Sequence, residues 1–123
     1  MKTILIADDE EDIRIVISMR LQQLKLRVIH ATTGRTALEL ATVERPDLLI
    51  LDWTLPDMNG RNVLMALKQN SVTASIPVIV VTGIDEQLEK TQALAIGARA
   101  YLVKPISMRD LEETVLEVLK QKD

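Results

Sequence analysis

Five short apolar runs recur along the chain, and each is followed by a stretch with helical character. The runs cover residues 4–7, 27–31, 48–51, 78–81 and 100–103. Most of them are continuous rather than alternating, which is typical of strands covered on both faces in a parallel sheet. The pattern therefore predicts five buried strands.

Apolar residues after these runs recur at spacings of three and four, which places them on one face of a helix. The first such set is Ile13, Val16, Ile17, Leu21 and Leu24, and the last is Met108, Leu111, Val115, Val118 and Leu119. Shorter patterns predict three further helices, around residues 38–41, 63–67 and 88–96. Asn59 is a candidate N-cap, Gly97 a candidate C-terminal stop, and Ser107 with Asp110 a candidate capping box.

The regular alternation predicts an α/β fold of the (βα)5 type, with right-handed crossovers and helices on both faces of the sheet. Five strands favour a doubly wound parallel sheet with the flavodoxin-like order 2-1-3-4-5. The length of 123 residues fits a single domain over residues 1–123. In such a sheet, ligands bind beyond the carboxyl ends of the strands, beside the switch point between strands 1 and 3.

Composition removes several classes of site. The chain has no cysteine and one histidine, which excludes disulfides, thiolate zinc sites and any site that needs two imidazoles. A net charge of -3 argues against sequence-independent nucleic-acid binding. No apolar run approaches the ~20 residues of a membrane span, so we expect a cytoplasmic protein without membrane contact.

Polar side chains follow four of the predicted strands. Asp8 and Asp9 follow strand 1, Asp52 follows strand 3, Thr82 follows strand 4 and Lys104 follows strand 5. Clustered carboxylates raise one another's pKa unless a cation neutralises them, and oxygen-only ligands favour Mg2+. Such a site suits phosphoryl transfer, in which a carboxylate can be the nucleophile and a lysine can pair with a phosphoryl oxygen.

Each of these residues also has a purely structural interpretation. The acidic run of residues 8–12 can complement a helix dipole, and Asp52 can begin a turn. Thr82 alone is more often a turn hydroxyl, Lys104 a solvated side chain and Tyr101 a packed strand residue. It is the combination at one sheet edge that favours a site.

Four segments carry a resemblance to a known family: ILIADDE at 4–10, DWTLPDMNG at 52–60, VTG at 81–83 and GARAYLVKP at 97–105. With these segments the chain resembles the receiver domain of bacterial two-component response regulators over essentially its whole length. The resemblance implies a signalling switch that takes a phosphoryl group from a histidine kinase or phosphotransfer protein. It also implies that the chain catalyses only its own phosphoryl transfer and slow autodephosphorylation, and is otherwise no enzyme.

The resemblance implies a role for each matching residue. Asp52 would be the phosphoacceptor. Asp9, Asp52 and the backbone carbonyl of Thr54 would ligate Mg2+, and Asp8 would assist through a water molecule.

The resemblance also implies a switch. Thr82 and Lys104 would bind the phosphoryl group, and Tyr101 would change rotamer after Thr82. The surface of helix 4, strand 5 and helix 5 would then change and control a downstream protein or effector domain. A cis bond between Lys104 and Pro105 is a further implication.

Three departures from the family pattern bear on these expectations. Gly83 stands where the family usually has alanine. Thr54 and Ile84 occupy positions that tune hydrolysis of the aspartyl-phosphate, and the apolar Ile84 predicts a long-lived phosphoryl group. Arg99 and Ala100 replace the acidic pair that the transcription-factor branch uses in its dimer contacts.

Two other classes of function remain open on the sequence. A haloacid-dehalogenase-like phosphatase would carry a second aspartate two residues after the nucleophile, where this chain has Thr54. A phosphate-independent interaction module would keep the fold without the switch. The sequence also leaves open whether the receiver stands alone or is part of a longer protein.

Overall fold

The predicted alternation of strands and helices is present in the structure, a computed structural model that describes residues 1–122. Asp123, the last residue of the predicted domain, lies outside the described residues. The strands are β1 (Thr3–Ala7), β2 (Arg27–Ala31), β3 (Leu48–Leu51), β4 (Val78–Thr82) and β5 (Ala100–Val103). The helices are α1 (Glu11–Gln23), α2 (Gly34–Glu44), α3 (Gly60–Gln69), α4 (Gln87–Ile96) and α5 (Met108–Lys122).

All strand pairs are parallel, and the sheet order is β2-β1-β3-β4-β5, which confirms the predicted fold. Every residue of β3 and β4 is buried. Their continuous apolar sequences follow from this position, because a central strand of a parallel sheet is covered by helices on both faces.

Alternate residues of each strand feed two separate cores. Leu5 and Ala7 of β1 pack with α2, α3 and α4 on one face of the sheet. Ile4 and Ile6 pack with α1 and α5 on the other face. The strands are therefore fixed from both sides, and their carboxyl ends meet at one rigid edge.

The predicted apolar face of α5 is confirmed, whereas that of α1 needs one correction. Val16 is 49% exposed, while Ile17 and Leu21 are buried against the sheet. A helix turns about 100° per residue, so Val16 is displaced around α1 from the stripe that contains Ile17. Ser18 is buried instead, and its hydroxyl lies 3.2 Å from Nε2 of His30 on β2.

The predicted helix ends are confirmed by their hydrogen bonds and backbone angles. Oδ1 of Asn59 accepts from the Asn62 N–H at 2.9 Å, and Oγ of Ser107 accepts from the Asp110 N–H at 3.2 Å. Gly97 ends α4 with a φ of 131°, which favours glycine because side chains rarely adopt it. The described helices include none that is both long enough and apolar enough to span a membrane.

Candidate functional site

The carboxyl edge of the sheet brings together Asp8, Asp52, Thr82 and Lys104, as the order of the strands predicts. Asp8, Asp52 and Thr82 are 3%, 4% and 0% exposed, so three polar groups are buried at this edge. The peptide bond that follows Lys104 is cis, in agreement with the expectation for this position.

Lys104 is the centre of the site. Its Nζ donates to Oδ2 of Asp8 at 2.8 Å, to Oε1 of Glu10 at 2.8 Å and to Oδ2 of Asp52 at 3.1 Å. An ammonium group has three protons, and here each has a carboxylate acceptor. These charge-assisted bonds hold the lysine and the carboxylates together.

The electrostatic balance at this edge favours additional positive charge. Burial raises the pKa of the Asp8 carboxyl above its ordinary value, even though the Lys104 ammonium and the Glu10 N–H act in the opposite direction. Burial by itself would lower the pKa of Lys104, but its bonds to Asp8, Glu10 and Asp52 raise that pKa above the ordinary value. One ammonium therefore does not offset the cost of burying the Asp8 charge, and a cation at the site would help to offset it.

A cavity lies over the Asp52 carboxylate. It is lined by Asp9, Glu10, Asp52, Thr54, Leu55, Pro56, Thr82, Gly83 and Ile84. The predicted residues Asp9, Asp52, Thr54 and Thr82 therefore share one cavity. Asp9 itself is exposed at the rim.

The oxygen donors of this site fit a hard divalent cation. Asp8, Glu10 and Asp52 each place a carboxylate oxygen within 4.8 Å of the other two. Carboxylate and carbonyl oxygens are the ligands that Mg2+ prefers in proteins. Glu10 is a member of this group that sequence reasoning missed, although it directly follows Asp8 and Asp9 in the acidic run.

Thr82 and Tyr101, the predicted switch pair, both contact the backbone of Ile84. The Ile84 N–H approaches Oγ1 of Thr82 at 3.4 Å, and the Tyr101 hydroxyl donates to the Ile84 carbonyl at 2.7 Å. Tyr101 is 7% exposed, so its ring faces inward here. The β4–α4 connection thus joins the site to the Tyr101 ring.

Trp53 forms a second connection between the site and α4. It follows Asp52 directly and is 3% exposed. Its Nε1 donates to Oε2 of Glu89 at 2.6 Å, and its ring meets that of Tyr101 edge-on, with centroids 6.3 Å apart. Nothing in the sequence indicated Glu89, because this contact depends on how α4 packs on the sheet.

Asp57 ties the same loop to α2. Its two carboxylate oxygens accept from the backbone N–H groups of Gly34 at 2.7 Å and Arg35 at 3.0 Å. These bonds lower the pKa of the Asp57 carboxyl, because they favour its charged form. The loop that follows Asp52 is therefore bonded to α2 through Asp57 and to α4 through Trp53.

The chain is similar to proteins of a known family. The family model of the response regulator receiver domain matches residues 4–116. The chain is 37% identical over 120 residues to the phosphate regulon transcriptional regulatory protein PhoB of Pseudomonas aeruginosa, which covers 98% of this chain and 52% of that protein. It is 35% identical over 122 residues to the alkaline phosphatase synthesis transcriptional regulatory protein PhoP of Bacillus subtilis, with 99% and 50% covered. The chain thus spans about half the length of the curated relatives it matches.

Solved structures share this fold over nearly the whole chain. A CheY-like response regulator receiver domain protein from Methanospirillum hungatei is 31% identical, with a TM-score of 0.93 over 99% of this chain and 96% of that one. The chemotaxis response regulator CheY4 of Vibrio cholerae is 32% identical, with a TM-score of 0.89 over 96% and 98%.

Proposed function

The chain belongs to the response regulator receiver domain family, and on that premise we propose that its Asp52 carboxylate accepts a phosphoryl group from a phosphohistidine. The donor is a histidine kinase or a phosphotransfer protein, and the reaction is cytoplasmic. The observation that carries the proposal is the placement of Asp52. Its carboxylate is buried at the carboxyl edge, lines the cavity, and lies 3.1 Å from the Lys104 ammonium.

The chemistry needs little from the protein beyond position and charge. A carboxylate oxygen of Asp52 attacks the phosphorus atom and forms an O–P bond as the P–N bond to the donor imidazole breaks. The leaving imidazole nitrogen takes a proton from solvent. Lys104 and the Thr82 hydroxyl then donate to phosphoryl oxygens, and these bonds are strong because the acceptors are charged.

The proposed metal ligands are Asp9, Asp52 and the backbone carbonyl of Thr54, with Asp8 acting through a water molecule. All of them supply oxygen donors, and Asp9, Asp52 and Thr54 line one cavity beside the buried Asp8. When bound, Mg2+ neutralises charge on the carboxylates and on the phosphoryl oxygens. Removal of divalent metal should therefore prevent phosphorylation.

Phosphorylation would change the surface of α4, β5 and α5. It adds nearly two negative charges at Asp52 and draws the Thr82 hydroxyl toward them. Because Thr82 and Tyr101 both contact Ile84, a shift of the β4–α4 connection changes the acceptor of the Tyr101 hydroxyl. A downstream protein or an effector domain would bind one of the two arrangements of this surface.

The relatives indicate the general kind of output partner. Two of them are named transcriptional regulatory proteins, and this chain matches about half of each. We infer that a partner of the same general kind, attached or separate, responds to the receiver. The chain itself catalyses only its own phosphorylation and slow dephosphorylation.

Trp53, the only tryptophan, provides the test. Its fluorescence should change on addition of Mg2+ and then change again, saturably, on addition of beryllofluoride, which mimics a phosphoryl group. Asp52→Asn should bind no beryllofluoride and accept no phosphoryl group, while its circular dichroism stays that of a folded protein.

Asp110→Asn is the matched control, because it makes the same chemical change at an exposed position on α5. It should respond as the wild type does. An Asp52→Asn protein that is still phosphorylated at this site would overturn the proposal. A wild type that responds to neither addition would do the same and favour a phosphate-independent interaction module.

A further inference from the structure

The three acceptors of Lys104 differ sharply in exposure. The side chains of Asp8 and Asp52 are 4% and 6% exposed, whereas that of Glu10 is 57% exposed. The distance from Nζ to Glu10 is nevertheless 2.8 Å, as short as the distance to Asp8. Glu10 is thus a well-formed partner on the solvent side of the site.

Binding of a phosphoryl group requires Lys104 to exchange an acceptor. All three of its protons already point to carboxylates, so a phosphoryl oxygen must replace one of them, and where the bond to Asp52 is kept the choice lies between Asp8 and Glu10. Leaving the buried Asp8 unpaired would be costly, because a buried charge loses both water and its partner. Releasing Glu10 costs little, since an exposed carboxylate regains its hydration and exposed ion pairs contribute weakly.

The main chain at Glu10 is held by hydrogen bonds that do not involve its side chain. The Glu10 N–H donates to Oδ1 of Asp8 at 2.9 Å, and the Glu10 carbonyl accepts from the Arg14 N–H at 3.1 Å. These bonds fix the main chain at the start of α1. Only side-chain rotation is needed to release Lys104.

We propose that Glu10 is a positioning residue: it occupies the third hydrogen bond of Lys104 until a phosphoryl oxygen replaces it. The inference rests on the proposed phosphorylation of Asp52. Glu10 competes with the phosphoryl group for the ammonium and thereby weakens binding of the phosphoryl group. It also adds negative charge at the cavity rim, where an anionic donor must approach.

Glu10→Gln tests this competition. At saturating Mg2+, Trp53 fluorescence should report beryllofluoride binding about 2- to 5-fold tighter than in the wild type, the range expected for loss of an exposed ion pair. Glu10→Ala removes the acceptor altogether and should show an effect at least as large. Both changes lie at an exposed position and should leave the fold intact.

Glu11→Gln is the matched control. It removes the same charge from the next residue, which is exposed in α1, while the bonds of Lys104 remain. Unchanged or weaker beryllofluoride binding in Glu10→Gln would overturn the inference, as would an equal gain in Glu11→Gln. A loss of Mg2+ affinity confined to the Glu10 variants would identify Glu10 as a metal ligand and also overturn it.

The two proposals fail in different ways. A wild type that binds no beryllofluoride contradicts the phosphoacceptor role of Asp52. A wild type that binds it, with Glu10 variants that bind it no better, contradicts only the role of Glu10.

Discussion

Two side chains at the carboxyl edge contribute to stability over different ranges of pH. The raised pKa of Asp8 means that folding favours its protonated form. This contribution is full below the ordinary pKa of 3.8 and is lost as the pH rises through the folded-state value. Lys104, whose pKa is also raised, contributes fully below its ordinary value of 10.5 and so throughout the neutral range. As the pH rises above 3.8 the Asp8 contribution therefore decreases, while the Lys104 contribution stays constant up to 10.5.

Ile84 leads to a prediction about the lifetime of the phosphoryl group. It lines the cavity over Asp52, and its apolar side chain offers no hydrogen bond to an attacking water molecule. We expect the aspartyl-phosphate to last minutes or longer. Ile84→Glu, which supplies a hydrogen-bond acceptor, should shorten this lifetime, as measured by the loss of radiolabelled phosphoryl group after the donor is removed.

Ile84→Met serves as the control, because it keeps the position apolar and leaves the backbone bond to Tyr101 available. It should leave the lifetime close to that of the wild type. A wild-type half-life of seconds would contradict the assignment of this role to Ile84.

At the scale of elements, the β3–α3 connection allows very little space around the phosphoacceptor. A Cβ added to Gly60, the first residue of α3, would lie 2.6 Å from Cα of Trp53 and 2.7 Å from the carbonyl oxygen of Asp52. The Gly60 N–H also donates to the Trp53 carbonyl at 2.7 Å. Glycine is required here by close approach of the backbone.

Gly60→Ala should therefore destabilise the protein by roughly 1–3 kcal/mol, the usual cost of overpacking. Urea unfolding measures this change. Gly83→Ala is the contrasting variant, because nothing lies within 4 Å of its added Cβ. It should be neutral or stabilise by about 0.4–1 kcal/mol through the unfolded state. A Gly60→Ala protein as stable as Gly83→Ala would show that the connection is less tightly packed than described.

At the scale of the whole molecule, phosphorylation can act only as a shift between two arrangements. A ligand moves such an equilibrium by its difference in affinity for the two states. In this chain the difference would come from the bonds of Thr82 and Lys104 to the phosphoryl group. Two contacts reach from the site to α4 and β5: Ile84 with Tyr101, and Trp53 with Glu89.

A ligand that binds only the folded state also raises the free energy of unfolding of the whole protein. Beryllofluoride with Mg2+ at 100 times its Kd should stabilise the folded wild type by about 2.7 kcal/mol, because it binds the native state alone. Calorimetry should show this as an increase in Tm of several degrees. Asp52→Asn should show no increase from beryllofluoride beyond that from Mg2+ alone. An equal increase in both proteins would place the ligand elsewhere on the chain.

The sequence by itself determined the order of elements and the edge at which the site forms. Continuous apolar runs such as 48–51, alternating with helical patterns, are typical of central strands, and the residues that follow parallel strands meet at one edge. Asp8, Asp52, Thr82 and Lys104 were therefore predictable as neighbours before any coordinates. The caps at Asn59, Gly97 and Ser107 were predictable too, because they depend on local hydrogen bonds and backbone angles.

Only the tertiary structure decided which distant side chains form hydrogen bonds with one another and how exposed each side chain is. The contact of Glu10 with Lys104 depends on side-chain rotamers at a chain separation of 94 residues, to which no local pattern is sensitive. The bond from Trp53 to Glu89 likewise depends on how α4 is seated, and the exposure of Val16 depends on how α1 is rotated against the sheet. Periodicity specifies which face of an element is apolar, whereas packing of the neighbouring elements sets the distances and the burial on which the chemistry depends.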